Sequence, residues 1–517
     1  MGESEMQQRD WSSSFNFKNL QWLDLSSNNL RGSLLENASN LFHVNGLQRL
    51  NLADNDFNGT ISSKFFSQSV SLTHLDLSFN GLFDLISRFD GQGFDTLATN
   101  LTKLRNLALN GVDMSDVALT SFLNLSSSLE HLSLSYSQLQ GEFPTQVSQL
   151  PNLKVLDLSE DENLTAGPLP ITILNLTKIA HLDLSNNHLE GPFPNHVSEL
   201  QFLEVLELYK NSISGGVPSW LFSLPSLPLL DLSYNKLVGP IDRIQQPSSI
   251  QDVKLSYNNI GGSIRCSIFD LVNLTSLDLS SNNLSGPIPY SIFDLVYLSY
   301  LDLSSNNLSS VIKSDMLSKL TSLEVLDVSR QFPNFFQSSQ LEVLDLSNNM
   351  ISGGISRWEA EGWEGLQYLD LSHNFLTALE QYPGNNLDYL NLHSNLLQGP
   401  ILSTCLNPQI PILKELEVLI ISKNKLIGNT PSSICNLSSL GVLDLSEINL
   451  SGIIPDCLGN LNHLQLFDLQ MNNFIGKIPN SFVNNELAHL VFNDNQLDGL
   501  VQPSMANWSN KGGFVEL

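Results

Sequence analysis

LTSLDLSSN, at residues 274–282, returns with small changes as LSYLDLSSN at 298–306 and as LEVLDLSNN at 341–349. All three fit the pattern Leu-x-x-Leu-x-Leu-x-x-Asn, which recurs about every 24 residues between Leu20 and Asn495. A repeat of this length predicts a solenoid in which each coil is stabilised by stacking on its neighbours. The last Leu of the pattern, or its replacement, marks one coil each at Leu25, Leu52, Leu77, Leu109, Leu134, Leu158, Leu184, Leu208, Leu232, Leu255, Leu279, Leu303, Val328, Leu346, Leu371, Leu392, Ile421, Leu445, Leu469 and Phe492.

The Leu-x-Leu segment predicts a short β-strand, because its alternation sends the two Leu side chains into the core and the residue between them into solvent. Stacked coils would join these strands into one parallel sheet on the concave side. The closing Asn is expected to be buried and to satisfy backbone groups of adjacent coils with its side-chain amide. This ladder of asparagines is broken at Val112, Ser137, Asp161, Gln331 and Ile448.

A second element follows most of the predicted strands. It is seen as LEGPFP at 189–194, ISGGVP at 213–218, LSGPIP at 284–289, LSGIIP at 450–455 and FIGKIP at 474–479. With the strand pattern, it resembles the plant-specific class of leucine-rich repeats, LxxLxLxxNxLSGxIPxxLxxLxxL. In that class Gly permits a sharp turn and Pro ends a short second strand.

Two longer stretches, NLTKLRNLALNGVDMSDV at 100–117 and SSICNLSSLGVLDLSEINLSGIIPDCLGNL at 432–461, are similar to plant receptor-like proteins that detect pathogens at the cell surface. The resemblance implies an α/β leucine-rich-repeat solenoid, a right-handed superhelix or horseshoe, with about twenty plant-type repeats and a parallel concave sheet. We therefore expect one repeat domain over 20–517 after a lead segment, 1–19, without a recognisable cap. Uneven spacing predicts irregular coils near 84–103, 329–341 and 402–415.

Part of the formal net charge of -28 comes from the solvent-facing residue of the Leu-x-Leu segment. That residue is acidic at Asp24, Asp76, Asp157, Asp183, Glu207, Asp231, Asp278, Asp302, Asp327, Asp345, Asp370, Asp444 and Asp468. Such an acidic stripe disfavours nucleic acid or an anionic membrane surface as a partner. It has two explanations, the consensus of the repeat or a cation-binding role, and its regular spacing is not that of a calcium loop.

Asn-x-Ser/Thr acceptor sites for N-glycosylation favour an extracellular chain. They occur at Asn37, Asn58, Asn100, Asn124, Asn163, Asn175, Asn273, Asn283, Asn307, Asn436, Asn449 and Asn507. The repeat template itself generates some of them, as NLS and NLT. By family resemblance, the full-length protein is expected at the extracellular side of the plasma membrane.

The chain has four cysteines, Cys266, Cys405, Cys435 and Cys457. Cys435 and Cys457 occupy nearly equivalent places in consecutive coils, which predicts a disulfide between them. The alternative is a pair of free thiols, and four cysteines allow three full pairings. No cysteine or Cys/His spacing indicates a zinc site.

Residues 1–15 lack the apolar segment of a secretory signal. The sequence also contains no run of 18 or more apolar residues, the length that a helix needs to span a bilayer. Family members of this type normally have both, so a receptor truncated at both ends is the simplest interpretation. The chain also lacks the glycine-rich loop and the HRD and DFG motifs of a kinase, and no catalytic, metal or cofactor site is predicted.

Candidate ligand contacts are departures from the repeat template at solvent-facing positions. Three consecutive coils predict an aromatic and cationic cluster of Tyr209, Lys210, Tyr234, Lys254 and Tyr257. A second group, Tyr300, Tyr368 and Tyr389, occupies the position just before a core Leu, and Tyr300 is added to the candidate contacts. Tyrosines suit a peptide or glycan platform because they combine rigid contact area with a polar end. Ordinary surface variation is the competing explanation.

The residues and the resemblance together favour an extracellular recognition domain of a receptor-like protein. Its ligand would be a peptide, protein or glycan, pathogen-derived or endogenous, and by resemblance its signal would pass through a partner receptor kinase. Two alternatives remain. One is a soluble inhibitor or decoy similar to polygalacturonase-inhibiting proteins, and the other is a truncated paralogue that has no ligand.

Overall fold

The computed structural model describes residues 19–33, 46–61, 63–66, 70–80, 87–161, 164–165, 167–169, 172–173, 176–195, 197, 200–244, 248–308, 320–328, 341–349, 351–355, 365–379, 386–401, 415–484, 487–498 and 514–516. Several features predicted from the sequence lie outside these residues. They are the lead segment up to residue 18, most of the irregular ranges 329–341 and 402–415, the acceptor sites Asn37, Asn163, Asn175 and Asn507, and Cys405.

The chain divides into two compact units, Met1–Ile260 and Gly261–Leu517. In the first unit, three-residue strands begin one residue before each Leu-x-Leu segment and end on its central residue. They pair in parallel, and we call them the main sheet of that unit. These strands are Trp22–Asp24, Arg49–Asn51, His74–Asp76, Asn106–Ala108, His131–Ser133, Val155–Asp157, His181–Asp183, Val205–Glu207, Leu229–Asp231 and Asp252–Lys254. The central residue of each is buried, and its neighbours in the strand are half-buried or exposed except for Ser133, which is buried.

Shorter strands and helices complete the coils of the first unit. The side strands are Arg31–Ser33, Asp56–Asn58, Thr60–Ile61, Arg88–Phe89, Gly141–Glu142, Leu164–Thr165, Glu190–Pro192, Ser212–Gly215 and Lys236–Gly239. A further side strand, Asn259–Gly262, begins in the first unit and ends in the second. The α-helices are Ser63–Phe66 and Gly91–Asn100, and the 3-10 helices are Leu119–Asn124, Thr145–Gln149 and Ser219–Ser223. Gly91–Asn100 lies in the irregular range 84–103, and the side chain of Asp90 caps its first turn.

The second unit has the same architecture. Its main sheet consists of Ser276–Asp278, Tyr300–Asp302, Val325–Asp327, Val343–Asp345, Tyr368–Asp370, Tyr389–Asn391, Val418–Ile420, Val442–Asp444, Leu466–Asp468, His489–Val491 and Phe514–Glu516, paired in parallel. The side strands are Asn283–Gly286, Asn307–Leu308, Ser352–Ile355, Phe375–Leu379, Gln398–Gly399, Lys425–Asn429, Asn449–Gly452, Asn473–Gly476 and Gln496–Leu497. The 3-10 helices are Cys266–Asp270, Tyr290–Asp294, Ser432–Asn436, Asp456–Asn460 and Asn480–Asn484.

The predicted asparagine ladder is present in both units. In the first, Asn235 donates through Nδ2 to the carbonyls of Leu208 (2.9 Å) and Leu232 (3.2 Å). Its Oδ1 accepts the backbone N–H of Ile213 at 3.0 Å. One buried side chain thus satisfies backbone groups of its own coil and of the preceding one. Each unit is a leucine-rich-repeat solenoid, as predicted.

The core of each coil is built from the repeating Leu and Ile side chains, with buried phenylalanines at several positions. In the first unit Phe66, Phe89, Phe94 and Phe122 are fully buried and in sequential ring contact, with centroids 5.3–6.0 Å apart. These contacts connect the α-helix Gly91–Asn100 to the coils on either side of it. The extra residues of this irregular range are therefore accommodated by aromatic packing.

Candidate functional site

Acidic side chains form a row on the outer face of the main sheet in the first unit. Asp157, Asp183, Glu207 and Asp231 occupy the same place in consecutive strands and are paired in register, and Lys254 follows Asp231. Adjacent parallel strands lie about 4.8 Å apart, so these charges act on one another. Burial, helped by the charge of Asp183, raises the pKa of Glu207, and Lys254 opposes that shift.

A row of left-handed residues runs along one edge of this acidic row. The residue before each ladder asparagine has a positive φ, for example 51° at Lys210, 53° at Tyr234 and 52° at Tyr257. This conformation turns the chain so that the next residue, the asparagine, enters the core. The side chain of the left-handed residue then stands in solvent, and Tyr234 and Tyr257 are 46% and 51% exposed.

Tyr234 and Tyr257 form a stacked pair, with ring centroids 4.2 Å apart and planes inclined by 8°. Such a pair of exposed aromatic rings is a broad, rigid contact surface. Both tyrosines were predicted as ligand contacts from the sequence, and the structure brings them into direct contact.

The other predicted residues of this cluster form two further contacts in the same coils. Nζ of Lys210 lies 5.9 Å from the centroid of the Tyr209 ring, which is within the range of a cation–π interaction. Nζ of Lys254 lies 3.9 Å from Oδ2 of Asp252, so Asp252 partly offsets the positive charge that Lys254 adds to the acidic row. We call Tyr209, Lys210, Tyr234, Lys254 and Tyr257 the first cluster.

The candidate Tyr300 lies in the main sheet of the second unit and is half-buried. Its neighbours in the sheet are Ser276 and Val325, and two strands separate it from Tyr368. The structure therefore does not bring it together with the other two tyrosines of its group.

Tyr368 and Tyr389, by contrast, occupy adjacent strands in register and stack with centroids 4.2 Å apart and planes inclined by 10°. Both belong to the second group of tyrosines predicted from the sequence, although only Tyr300 of that group is among the candidate contacts. The signal was present, because both precede the core Leu in consecutive repeats, and consecutive repeats place that position in neighbouring strands. Burial raises the pKa of Tyr368, and the nearby Tyr389, Asp370 and Asp345 act in the same direction.

Polar groups beside this second tyrosine pair are connected by hydrogen bonds. Asn391 donates through Nδ2 to Oδ2 of Asp370 at 2.9 Å. Nδ1 of His393 lies 2.7 Å from Oγ of Ser422, which donates to Oδ2 of Asp444 at 2.6 Å. Burial lowers the pKa of His393. Hydrogen-bonded partners thus hold these side chains in place on the sheet surface.

The described residues include no group of three or more His, Cys, Asp and Glu side chains arranged to hold a metal ion. None of their helices combines the length and the apolar character needed to cross a membrane. Six of the eight acceptor asparagines within the described part are exposed, Asn124, Asn273, Asn283, Asn307, Asn436 and Asn449, and the other two, Asn58 and Asn100, are half-buried. Cys435 and Cys457, the pair favoured from the sequence, are joined by a disulfide.

Comparison with protein families identifies the repeat. Models described as leucine rich repeat match residues 171–237 and 273–331, residues 19–41, 340–358, 415–437 and 439–461, and residues 68–84. Receptor-like protein 41 of Arabidopsis thaliana is 35% identical over 451 residues, covering 83% of this chain and 47% of that protein. A receptor-like protein Cf-9 homolog of Solanum lycopersicum is 33% identical over 163 residues, covering 28% of this chain and 19% of that protein. The chain thus spans less than half the length of these relatives.

The chain is also similar in fold to solved structures of plant receptors. The Arabidopsis receptor kinase HAESA, in complex with the peptide hormone IDA and the co-receptor SERK1, superposes with a TM-score of 0.69 and 27% identity, covering 96% of this chain and 90% of that one. The HAESA ectodomain with an N-terminally extended IDA peptide gives a TM-score of 0.64 and 28% identity, covering 95% and 89%. PEPR1 bound to AtPEP1, at 24% identity and a TM-score of 0.63, supports the fold alone.

Proposed function

The chain belongs to the leucine-rich-repeat family of plant receptor-like proteins, and we propose that it is the ligand-recognition region of an extracellular receptor. Its ligand is a peptide, or a peptide segment of a larger pathogen-derived or endogenous molecule. The receptor stands at the outer face of the plasma membrane. Solenoids of this kind use the broad outer face of their main sheet for binding.

The observation that carries this proposal is the stacked pair Tyr234–Tyr257 beside Lys210 in the first cluster. Most residues at this left-handed position are small or polar, such as Ser281 and Ser305. Two consecutive coils carry tyrosine there, and their rings form a continuous exposed surface. Tyrosine is enriched at binding hot spots because a large, rigid ring is anchored at little cost in conformational entropy.

Signalling is proposed to require a second protein. No kinase motif occurs in this sequence, and the HAESA structure contains a co-receptor besides its peptide hormone. We infer that a receptor kinase partner transmits the signal when ligand is bound. Co-purification of the chain with candidate receptor kinases, with and without ligand, tests this step.

Ligand recognition is tested with the chain expressed through a secretory pathway and immobilised. The probe is a positional-scanning library of N-acetylated octapeptides. We expect a reproducible residue preference, and we expect it to weaken when Tyr234→Ser and Tyr257→Ser are combined. Serine is chosen because it occupies the same left-handed position elsewhere in the chain.

The matched control is Tyr136→Ser, which removes a tyrosine of the same left-handed row that is 62% exposed in another coil. This variant is expected to retain the preference of the unmodified chain. A library that shows no preference at all would overturn peptide recognition. If the residue preference survives the double substitution, the first cluster is not the site that binds the peptide.

A further inference from the structure

We propose that Tyr368, Tyr389, Asp345 and Asp370 form a subsite for an arginine side chain of an extended peptide ligand. We call these four residues the second cluster. This inference rests on the proposed function, because it specifies the chemistry of one part of the same ligand. It concerns the second unit alone and makes no use of the first cluster.

The geometry of the tyrosine pair leaves one ring face open to a ligand. The centroid separation of 4.2 Å is close to the spacing of about 4.8 Å between parallel strands. Tyr368 and Tyr389 are register partners, so the rings stand side by side and face along the direction from strand to strand. The outer face of Tyr368 is therefore turned toward the neighbouring strand Val343–Asp345.

That neighbouring strand contributes a small aliphatic side chain and a negative charge. Val343 is the register partner of Tyr368, and its small side chain leaves the space in front of the ring unfilled by a second aromatic group. Asp345 stands two residues further along the same strand, and its charge acts on the Tyr368 hydroxyl. The result is a recess with an aromatic wall, an aliphatic floor and a carboxylate at one end.

The two carboxylates are held in place on the sheet, and Asp345 retains acceptor capacity for a ligand. Oδ1 of Asp345 accepts the backbone N–H of Ser347 at 2.7 Å, and Oδ1 of Asp370 accepts that of Ser372 at 2.8 Å. These bonds fix the orientation of each carboxylate on the sheet. An ionised carboxylate offers about four acceptor positions, so the half-buried Asp345 can also receive an N–H from a guanidinium. Asp370 is buried and its Oδ2 accepts from Nδ2 of Asn391, so Asp370 contributes negative charge to the subsite.

The charge around the tyrosine pair is negative on both sides. Asp345 and Asp370 are the last residues of their main-sheet strands. At the opposite end of the strands, the residue directly before the strand is acidic at Glu342, Asp388 and Glu417. None of the six described main-sheet strands from Val325–Asp327 to Val442–Asp444 contains a Lys or Arg. The nearby Lys423 is paired with Glu447, at 3.6 Å between Nζ and Oε1. A cation is therefore the complementary ligand group.

Arginine fits this recess better than lysine. The planar guanidinium stacks on an aromatic face and at the same time presents parallel N–H donors to a carboxylate. The aliphatic part of the arginine side chain would lie on Val343. A lysine ammonium would reach the same charges but is more strongly hydrated and has no flat surface for the ring.

The experiment compares three probes, the pentapeptide acetyl-Ala-Ala-Arg-Ala-Ala-amide and its analogues with lysine or with the neutral isostere citrulline. Binding to the full chain is measured by saturation-transfer NMR, which detects weak ligands. We expect affinity in the order arginine, lysine, citrulline, with about a fivefold or larger difference between arginine and citrulline. The arginine methylene protons should receive the strongest transfer.

Two substitutions remove the subsite while keeping residues that the repeat uses elsewhere. Tyr368→Val introduces valine, which occupies the equivalent strand position at Val325, Val343, Val418 and Val442. Asp345→Ser introduces the residue found at Ser133. Asparagine is avoided at 345, because Asn followed by Leu346 and Ser347 would be a new glycosylation site. The control is Tyr290→Ser, in a 3-10 helix with a 69% exposed ring.

We expect both substitutions to abolish the preference for arginine over citrulline and the control to retain it. Unchanged circular dichroism shows that each variant is folded. Equal binding of the arginine and citrulline peptides, or a preference that survives Tyr368→Val and Asp345→Ser, overturns the subsite. In that case the octapeptide library still reports separately on peptide recognition, because its preference depends on the first cluster. Failure of both experiments overturns the proposed function as well.

Discussion

A single buried carboxyl group occupies a position of the asparagine ladder. Asp161 is fully buried, and its Oδ1 accepts the backbone N–H groups of Ser137 (2.8 Å) and Leu139 (3.3 Å). It therefore reproduces the accepting half of a ladder asparagine. Burial raises the pKa of Asp161 to about 7 despite these hydrogen bonds. The fold thus favours the protonated acid, and ionisation of this group opposes folding.

Asp161→Asn is expected to stabilise the chain near neutral pH. Because the folded-state pKa of Asp161 lies above its unfolded value of 3.8, the wild-type chain loses stability as pH rises from about 4 through about 7. The variant has no such loss. Its advantage in unfolding free energy should be absent below about pH 4 and reach as much as about 4 kcal/mol above pH 7.

Urea unfolding followed by circular dichroism between pH 4 and pH 8 measures this difference. The control is Asp242→Asn, which changes an exposed aspartate in the same unit. It should leave the pH profile unaltered. A difference between Asp161→Asn and the wild-type chain that does not vary with pH would contradict the assignment of the titration to Asp161.

Two consecutive asparagines allow the ladder itself to be tested. Asn258 is buried and donates to the carbonyls of Leu232 (3.0 Å) and Leu255 (3.1 Å), and it accepts from the N–H of Leu237 (3.0 Å). Asn258→Ala should lower the unfolding free energy by about 3 kcal/mol, because at least two buried backbone groups lose their partner. Asn259 is exposed, so Asn259→Ala is the matched control.

Thermal and urea unfolding of both variants measure the difference. Equal stability of Asn258→Ala and Asn259→Ala would mean that water replaces the amide. A solenoid can unfold in more than one transition, so the stabilities of the two variants are compared at the first transition of each.

The residues also show how far the sequence predicts the site. The burial of the ladder asparagines follows from the repeat alone, since one position of the pattern always enters the core. The stacking of Tyr234 on Tyr257 does not, because it depends on side-chain rotamers at a left-handed backbone position. Tyr300, selected from the sequence, stacks on neither Tyr368 nor Tyr389, because two strands that carry valine at this position separate it from Tyr368.

Among the elements, most of the described 3-10 helices follow from the prolines of the repeat. The 3-10 helices Ser219–Ser223, Tyr290–Asp294, Ser432–Asn436 and Asp456–Asn460 each begin directly after a proline. Proline restricts φ and lacks an N–H, so it ends the preceding strand and favours a new turn. The helix Gly91–Asn100 has no such signal in the repeat. The sequence predicts only that this coil contains extra residues.

The disulfide connects two of these short helices. Cys435 lies in Ser432–Asn436 and Cys457 in Asp456–Asn460, with their Cα atoms 5.7 Å apart and a sequence separation of 22. It closes a loop of about one coil, for which loop-closure entropy predicts a stabilisation of about 3 kcal/mol. We expect the double substitution Cys435→Ser and Cys457→Ser to lower the unfolding free energy by that amount.

Urea unfolding with and without a reducing agent tests this prediction. The reductant should destabilise the wild-type chain and have no effect on the double variant. Cys266→Ser is the control, because Cys266 is an exposed free thiol. Stability that is independent of the reductant in the wild-type chain would contradict a structural role for the bond.

At the scale of the whole molecule, the acceptor sites for glycans and the outer faces of the main sheets are separate. The eight described acceptor asparagines lie in side strands, helices and turns, and none lies in a main-sheet strand. Asn283, Asn307 and Asn449, for example, are the first residues of side strands. Glycans on these sites would lie outside the main-sheet strands, which carry the second tyrosine pair. The arrangement suits a secreted chain that must keep its binding faces accessible.

Expression through a secretory pathway should therefore yield a product whose mass falls on treatment with a peptide-N-glycosidase, while its octapeptide preference stays the same. We expect glycan removal to leave binding unchanged, because the described acceptor sites lie outside the main-sheet strands. The control is the same enzyme treatment of chain expressed without glycosylation. Loss of the peptide preference on deglycosylation would mean that a glycan takes part in recognition. An unglycosylated secreted product would instead remove the argument that these asparagines mark an extracellular surface.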